Sequence, residues 1–228
     1  MPKITTLGID MPAEFPITSY ETIHAIIAPP RSTDPLYQHY AGAWNAIAIR
    51  FRAAFEYGDK FVESFKAHGA APLPEERYDQ QKVLFNFFNS GFSVFESTFY
   101  ALYVFGAFLK PNDFPLTTMK NQKDVSPQST ERAYAKSFPK DPILTAFQLL
   151  FSDQEYIQWR DYRNILTHRT APGFIIRLSA GRRPPQPTIW KMNNKPFDDS
   201  ITIDGKKELS RLLTNLLDAS EIFVKRKF

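Results

Sequence analysis

The sequence predicts a mainly α fold: one up-and-down helical bundle with a small β-hairpin insertion before its last helix. Three observations carry this expectation. Two long runs, 34–68 and 75–109, and a leucine-rich run at the end of the chain repeat apolar residues at steps of three and four, the spacing of one helix face. After the long runs the period changes, and short stretches between 173 and 203 read as strands. The chain of 228 residues holds 21 Phe, 10 Tyr and 3 Trp, enough rings to fill a bundle core, since each buries more area than an aliphatic side chain.

The elements follow in order. Residues 1–33 are proline-dotted and weakly periodic, and read as an N-terminal arm or cap with room for a short strand. Thr33 or Asp34 then supplies an N-cap and Pro35 a first helical residue. Leu36, Tyr40, Trp44, Ile47, Phe51 and Phe55 follow at helical intervals until Gly69 stops the run after His68. Pro74 opens a second helix to about 109. One stripe of it is Phe85, Phe88, Phe92, Phe95, Phe99 and Leu102; a second is Asn89, Ser93, Glu96, Tyr100 and Tyr103. A line of polar atoms among rings needs a facing helix or a second subunit.

"KPNDFP" ends that helix, and 111–140 reads as a long irregular connection, with one helical turn near 128–137 and the length of a lid or mobile segment. "DPILTAFQLLF" restarts a short helix behind Asp141 and Pro142. Ser152 with Glu155 forms a capping-box pattern that opens a helix from about 153 to 169. "GFIIRLS", "TIWKM" and "SITI" read as strands, with "AGRRPPQP" and "NNKPFDD" as turns. Leu209, Leu212, Leu213, Leu216, Leu217 and Phe223 mark the final amphipathic helix. Without repeats or a linker, 34–228 reads as a single domain behind the arm.

Composition excludes several function classes. A net charge of +4, from 28 Lys+Arg against 24 Asp+Glu, is too small to argue for nucleic-acid binding. Arg177, Arg182, Arg183 and the "KRK" of Lys225, Arg226 and Lys227 read as a solvated surface. The absence of cysteine removes disulfides, thiolate metal sites and a Cys nucleophile, and suits a cytoplasmic protein. "MPKITTLGIDMPAEF" lacks the pattern of a secretory signal. Residues 83–109 are long enough to cross a bilayer, but Asn86, Asn89 and Glu96 favour a helix buried in a bundle, so no membrane partner is expected. His24, His39, His68 and His168 have no metal-ligand spacing and read, the last apart, as surface or packing residues. No glycine-rich phosphate loop or Ser/His/Asp arrangement is present. Neither metal nor cofactor is expected.

One decapeptide holds candidate chemistry. "RDYRNILTHR" (160–169) sits at a predicted helix end, before Pro172, and contains Arg163, Asn164 and His168. Arg163 and His168 lie about 140° apart around an ideal helix, whereas Asn164 and His168 are nearly in line. Cationic side chains near a helix C-terminus also interact favourably with its dipole, which is the plain structural reading of the same residues.

Arg163-Asn164-x3-His168 resembles the signature of the HEPN superfamily (higher eukaryotes and prokaryotes nucleotide-binding), an Arg, often with a polar residue after it, and a His four to six positions later. The family's bundle of four or five helices, with the motif late and a final helix after it, matches the helix order here over about 35–225. "NSGFSVFESTFYALY" is similar to the second bundle helix of HEPN relatives, where a polar or acidic residue approaches the motif. The resemblance implies that Glu96, with Asn89 and Tyr100 on the same line, supports Arg163 and His168. It also implies a homodimer whose two motifs share a cleft. The chemistry it implies is metal-independent RNA cleavage. His168 would transfer the 2′-OH proton, Arg163 would stabilise charge on the phosphate oxygens, and Asn164 would orient either. An antitoxin-like partner protein is a further implication. Two other readings stay open: a non-catalytic HEPN-like module that binds nucleotide, RNA or protein, and a purely structural helical dimer.

Overall fold

The computed structural model describes residues 3–4, 8–168, 173–175, 189–192 and 195–228. These form the expected mainly α bundle with a small strand insertion before the last helix. Its spine is the antiparallel pair α2 (Tyr37–His68) and α3 (Pro74–Leu109). Gly69, at φ +67°, ends α2, its amide donating to the Phe65 carbonyl at 2.7 Å, and a β-carbon would strain that left-handed backbone. The Glu76 carboxylate returns to the Leu73 amide at 2.9 Å and fixes the start of α3. α2 starts at Tyr37 rather than at Pro35 because Asp34 first makes an Asx turn, accepting from the Leu36 amide at 2.8 Å.

From Gly91 to Phe108, α3 is buried on nearly every side. It packs against α2, α5 (Pro127–Ser137), α7 (Gln154–His168) and α8 (Ser200–Lys227). Among the described residues it is the one helix long and apolar enough to cross a bilayer, and 78% of its apolar window is buried inside the fold. Three residues of its polar line meet partners within the chain: Ser93 and Tyr100 meet Arg50 and His39 on α2, and Glu96 meets Arg163 on α7.

The N-terminal segment carries the short strand expected of it and also a helix. β1 (Lys3–Ile4) pairs with β2 (Asp10–Met11), and Ile17–Arg31 forms α1, which packs on α8. Tyr20, Ile23 and Ile27 are buried, and the Tyr20 hydroxyl donates to the Trp44 carbonyl at 3.0 Å. Pro29 and Pro30 sit in the last turn of α1, where each removes an N–H that would bond the carbonyl four residues back, and the helix ends one residue later at Arg31.

The 111–140 connection is likewise more regular than expected. It holds α4 (Met119–Lys123) and the three-turn α5, whose start is capped by Ser126 and Ser129. Phe114, Leu116 and Tyr134 are buried, and the Tyr134 hydroxyl donates to the Leu102 carbonyl at 2.7 Å. These anchors make the segment part of the core, not a lid.

α6 (Ile143–Ser152) starts where Asp141 and Pro142 predict, its first amide donating to Asp141 Oδ1 at 3.2 Å. Ser152 belongs to α6 and does not cap α7. Asp153 does that, accepting from the Glu155 amide at 2.9 Å. β3 (Gly173–Ile175), β4 (Ile189–Met192) and β5 (Lys195–Pro196) make a three-stranded antiparallel sheet in the order β3-β4-β5. "SITI" is not a strand but the first turn of α8. Asp198 Oδ1 accepts from the Ser200 amide at 3.0 Å, and the Thr202 hydroxyl donates to the Gly58 carbonyl at 3.1 Å. The "AGRRPPQP" turn, with Arg182 and Arg183, and the preceding Arg177 lie outside the described residues.

Candidate functional site

Helix α7 is placed by aromatic side chains at steps of three. Tyr156 meets Phe92 and Phe95, Trp159 meets Phe87 and Phe88, and Tyr162 meets Phe88 and Phe197. All three are buried. Burial pushes the Tyr162 phenol up to about 12, with Glu208 adding to it, and burial likewise raises Tyr156. Neither ring ionises near neutrality, so this face of α7 is packing, not chemistry.

Arg163 follows on the shoulder of that face. Its guanidinium lies 4.8 Å from the Phe92 ring centroid, donates to Glu96 Oε1 across to α3, and donates to Asn164 Oδ1 at 3.1 Å. The Arg163 side chain is 18% exposed, and among the described residues its buried Nε has no hydrogen-bond partner. Phe92, Glu96 and Asn164 therefore hold the group from three directions.

Glu96 is held in turn. The Ser93 hydroxyl donates to Glu96 Oε2 at 3.1 Å. From α2, Arg50 donates to the Ser93 carbonyl at 3.1 Å and to Ser97 Oγ. One turn on, the Tyr100 hydroxyl lies 3.0 Å from His39 Nδ1, and partial burial raises the Tyr100 phenol above its usual range. Arg50, Glu96, Ser97 and Tyr100 line a cavity of about 370 Å³ floored by Gly42 and Ala46. A carboxylate, a guanidinium and two hydroxyls there can hold a polar ligand through both donors and acceptors.

The sequence-predicted residues are not all gathered. Arg163, Asn164 and Glu96 form one cluster. Tyr100 borders the cavity beside Glu96, and Asn89 is half-buried two turns earlier on α3. His168 is exposed at the last residue of α7. Among the described residues no hydrogen bond joins it to Arg163, Asn164 or Glu96; the roughly 140° between Arg163 and His168 in a straight helix sets those two on different faces. Among the described residues no group of acidic or histidine side chains is arranged to hold a metal.

Arg50, Ser97 and His39 escape a reading of motifs. Their signal is the hairpin itself. In an antiparallel pair, positions farther from the turn on one helix meet positions farther from it on the other, so His39 reaches Tyr100 while Arg50, nearer the turn, reaches Ser93 and Ser97.

No family model matches this chain, and neither a curated protein nor a solved structure matches it. The resemblance to HEPN proteins thus rests on Arg163–His168 and the helix order alone.

Proposed function

We propose that the chain is a HEPN-like helical protein that cleaves RNA without a metal, through Arg163, Asn164 and His168 at the C-terminal end of α7. The observation that carries this reading is the locking of Arg163 by Glu96, Asn164 and the Phe92 ring on the helix that ends in an exposed imidazole. A preorganised guanidinium suits the charge that grows on a phosphoryl group, and a solvent-facing imidazole is placed to take and return a proton. His168 takes the 2′-OH proton, the 2′ oxygen bonds to phosphorus, and the 5′ oxygen leaves and regains a proton from the imidazolium. The products are a cyclic phosphate end and a 5′-hydroxyl end. Pairing of two copies, which would bring two such helix ends to one cleft, belongs to the same proposal.

One observation favours a second reading. Glu96 already meets the charge of Arg163, whose side chain is 18% exposed, and this leaves less of the guanidinium for a phosphate. On that reading the pair is a bridge between α3 and α7 in a non-catalytic module that binds nucleotide, RNA or protein.

The two readings separate in one experiment. Purified protein, His168→Ala and Arg163→Ala are incubated with mixed single-stranded RNA in EDTA. Cleavage by the wild type, lost by about 100-fold or more in His168→Ala, supports the ribonuclease. Intact RNA with every protein, together with retained nucleotide or RNA binding, supports the module. Light scattering on the same samples tests the pairing of copies.

A further inference from the structure

Positive charge also gathers beyond the C-terminal end of α3, where three helices finish. α3 ends at Leu109, α5 at Ser137 and α8 at Lys227. Between these ends lies a cavity of about 390 Å³ lined by Lys110, Phe138, Lys140, Asp141, Arg226 and Lys227. From Glu96 to Lys110 the helix rises about 21 Å, so this cavity is separate from the Arg163 cluster.

Three of its four cations have partners in the fold. The Lys110 ammonium donates to the Ser137 carbonyl at 2.7 Å and stands 4.9 Å from the Phe138 ring centroid. The Lys227 ammonium lies 5.6 Å from the same ring. Arg226 and Lys227 each approach Asp141 Oδ2 at 3.6 Å, and the Asp141 side chain, 4% exposed, forms the floor. Lys140 is exposed at the rim.

The charges do not cancel. Nearby, Asp113 pairs with Lys136 at 2.8 Å and accepts from the Ser137 hydroxyl at 3.0 Å. Five cations, Lys110, Lys136, Lys140, Arg226 and Lys227, against Asp113 and Asp141 leave an excess of three positive charges. Three helix C-termini contribute at most about half a negative charge each, so a positive excess survives the capping role of these residues. Like charges fixed around one concavity repel at a cost that a bound polyanion removes.

We propose that this cavity binds a phosphate group, with Lys110, Lys140, Arg226 and Lys227 as its donors. The guanidinium fork of Arg226 matches two phosphate oxygens, and the ammonium groups supply point charges around them. The same chemistry is presented by the backbone of single-stranded RNA and by a free polyphosphate, and the test distinguishes them. The proposal does not depend on ribonuclease activity.

Calorimetric titration with pyrophosphate and fluorescence anisotropy with a labelled single-stranded RNA, from about 50 to 200 mM salt, make the test on the full chain. Two variants are compared with wild type. Lys140→Ala leaves both Asp141 pairs intact and so spares the fold; Lys140→Ala/Arg226→Ala/Lys227→Ala removes most of the cradle. Pyrophosphate affinity is expected to fall roughly tenfold in the first variant and beyond detection in the second. If the RNA backbone is the source, pyrophosphate displaces RNA, and the slope of log affinity against log salt shrinks by about 0.7 per removed cation. If the source is a free polyphosphate, pyrophosphate binds and RNA does not compete. His168→Ala binds as wild type, so a failed cleavage assay leaves the cavity untouched. Absence of pyrophosphate heat, with an RNA salt dependence identical in wild type and both variants, overturns the proposal.

Discussion

A β-carbon at Gly91 would stand 2.3 Å from the Trp159 ring, and the ring has nowhere to move, being 1% exposed and wedged on Phe87 and Phe88. Gly91→Ala should therefore destabilise the fold by about 2–3 kcal/mol through overpacking, read as a lower urea midpoint with an altered near-ultraviolet tryptophan signal. The Glu96–Arg163 pair gives a second prediction at this scale. Glu96→Gln keeps the shape but leaves a mostly buried guanidinium facing a neutral amide. The expected cost is about 1–2 kcal/mol, held down because the Glu96 side chain is 38% exposed to screening water. A double-mutant cycle with Arg163→Met should return a coupling of about 1 kcal/mol; additivity within error would mean the pair does not tie α3 to α7. Among single residues, Arg163 and Glu96 were legible in the sequence because a motif and a polar stripe named them independently. Arg50 was not, since an arginine on an exposed helix flank carries no local sign that a carbonyl from another helix awaits it.

Helices α7 and α8 are joined at the surface by Arg211, which reaches Asp153 at 2.8 Å and Glu155 at 2.5 Å. Burial pushes the Asp153 carboxyl up. The hydrogen bond from Arg211 and those from the Glu155 and Tyr156 amides outweigh it, and the group ends below the usual 3.8. A carboxyl depressed in the folded state stabilises above its unfolded value and loses that contribution as pH falls through its folded one. Thermal midpoints should thus drop below about pH 4 more steeply in wild type than in Arg211→Met, and equal slopes would remove Asp153 from acid sensitivity. The long helices were legible because periodicity repeats over many turns, and a few misplaced residues do not hide it. The shorter ones were not. In α1 the pair Pro29–Pro30 reads as a break although it falls in a final turn, where Tyr20, Ile23 and Ile27 already hold the helix. "SITI" alternates like a strand, and only the Asp198 cap, which needs the fold to be recognised, makes it a helix start. Ser152 and Asp153 both suit an N-cap, and the end of α6 decides between them.

For the whole molecule the question is where the cooperative core lies, and the hydropathy of α3 is ambiguous on this point. A helix apolar on every side can be a membrane span or the centre of a bundle. Here α2, α5, α7 and α8 enclose it, and Ser93, Glu96 and Tyr100 of its polar line meet Arg50, Arg163 and His39 of the same chain. Every element that places the Arg163 cluster, and those that end at the phosphate-binding cavity, pack against this helix or cap its end. The amides of 91–108 should then exchange with solvent only through global unfolding, with protection factors of about 10⁴ or more if stability is ordinary for a domain. α4, which buries none of its residues, should exchange far earlier. Hydrogen exchange followed by mass spectrometry separates the two regimes. Gly91→Ala and Glu96→Gln should lower protection in α3 and α7 together, by the amounts seen in urea. Loss confined to α7 would mean that this helix opens as a local unit, and that the Arg163 cluster sits on a hinge instead of on the core.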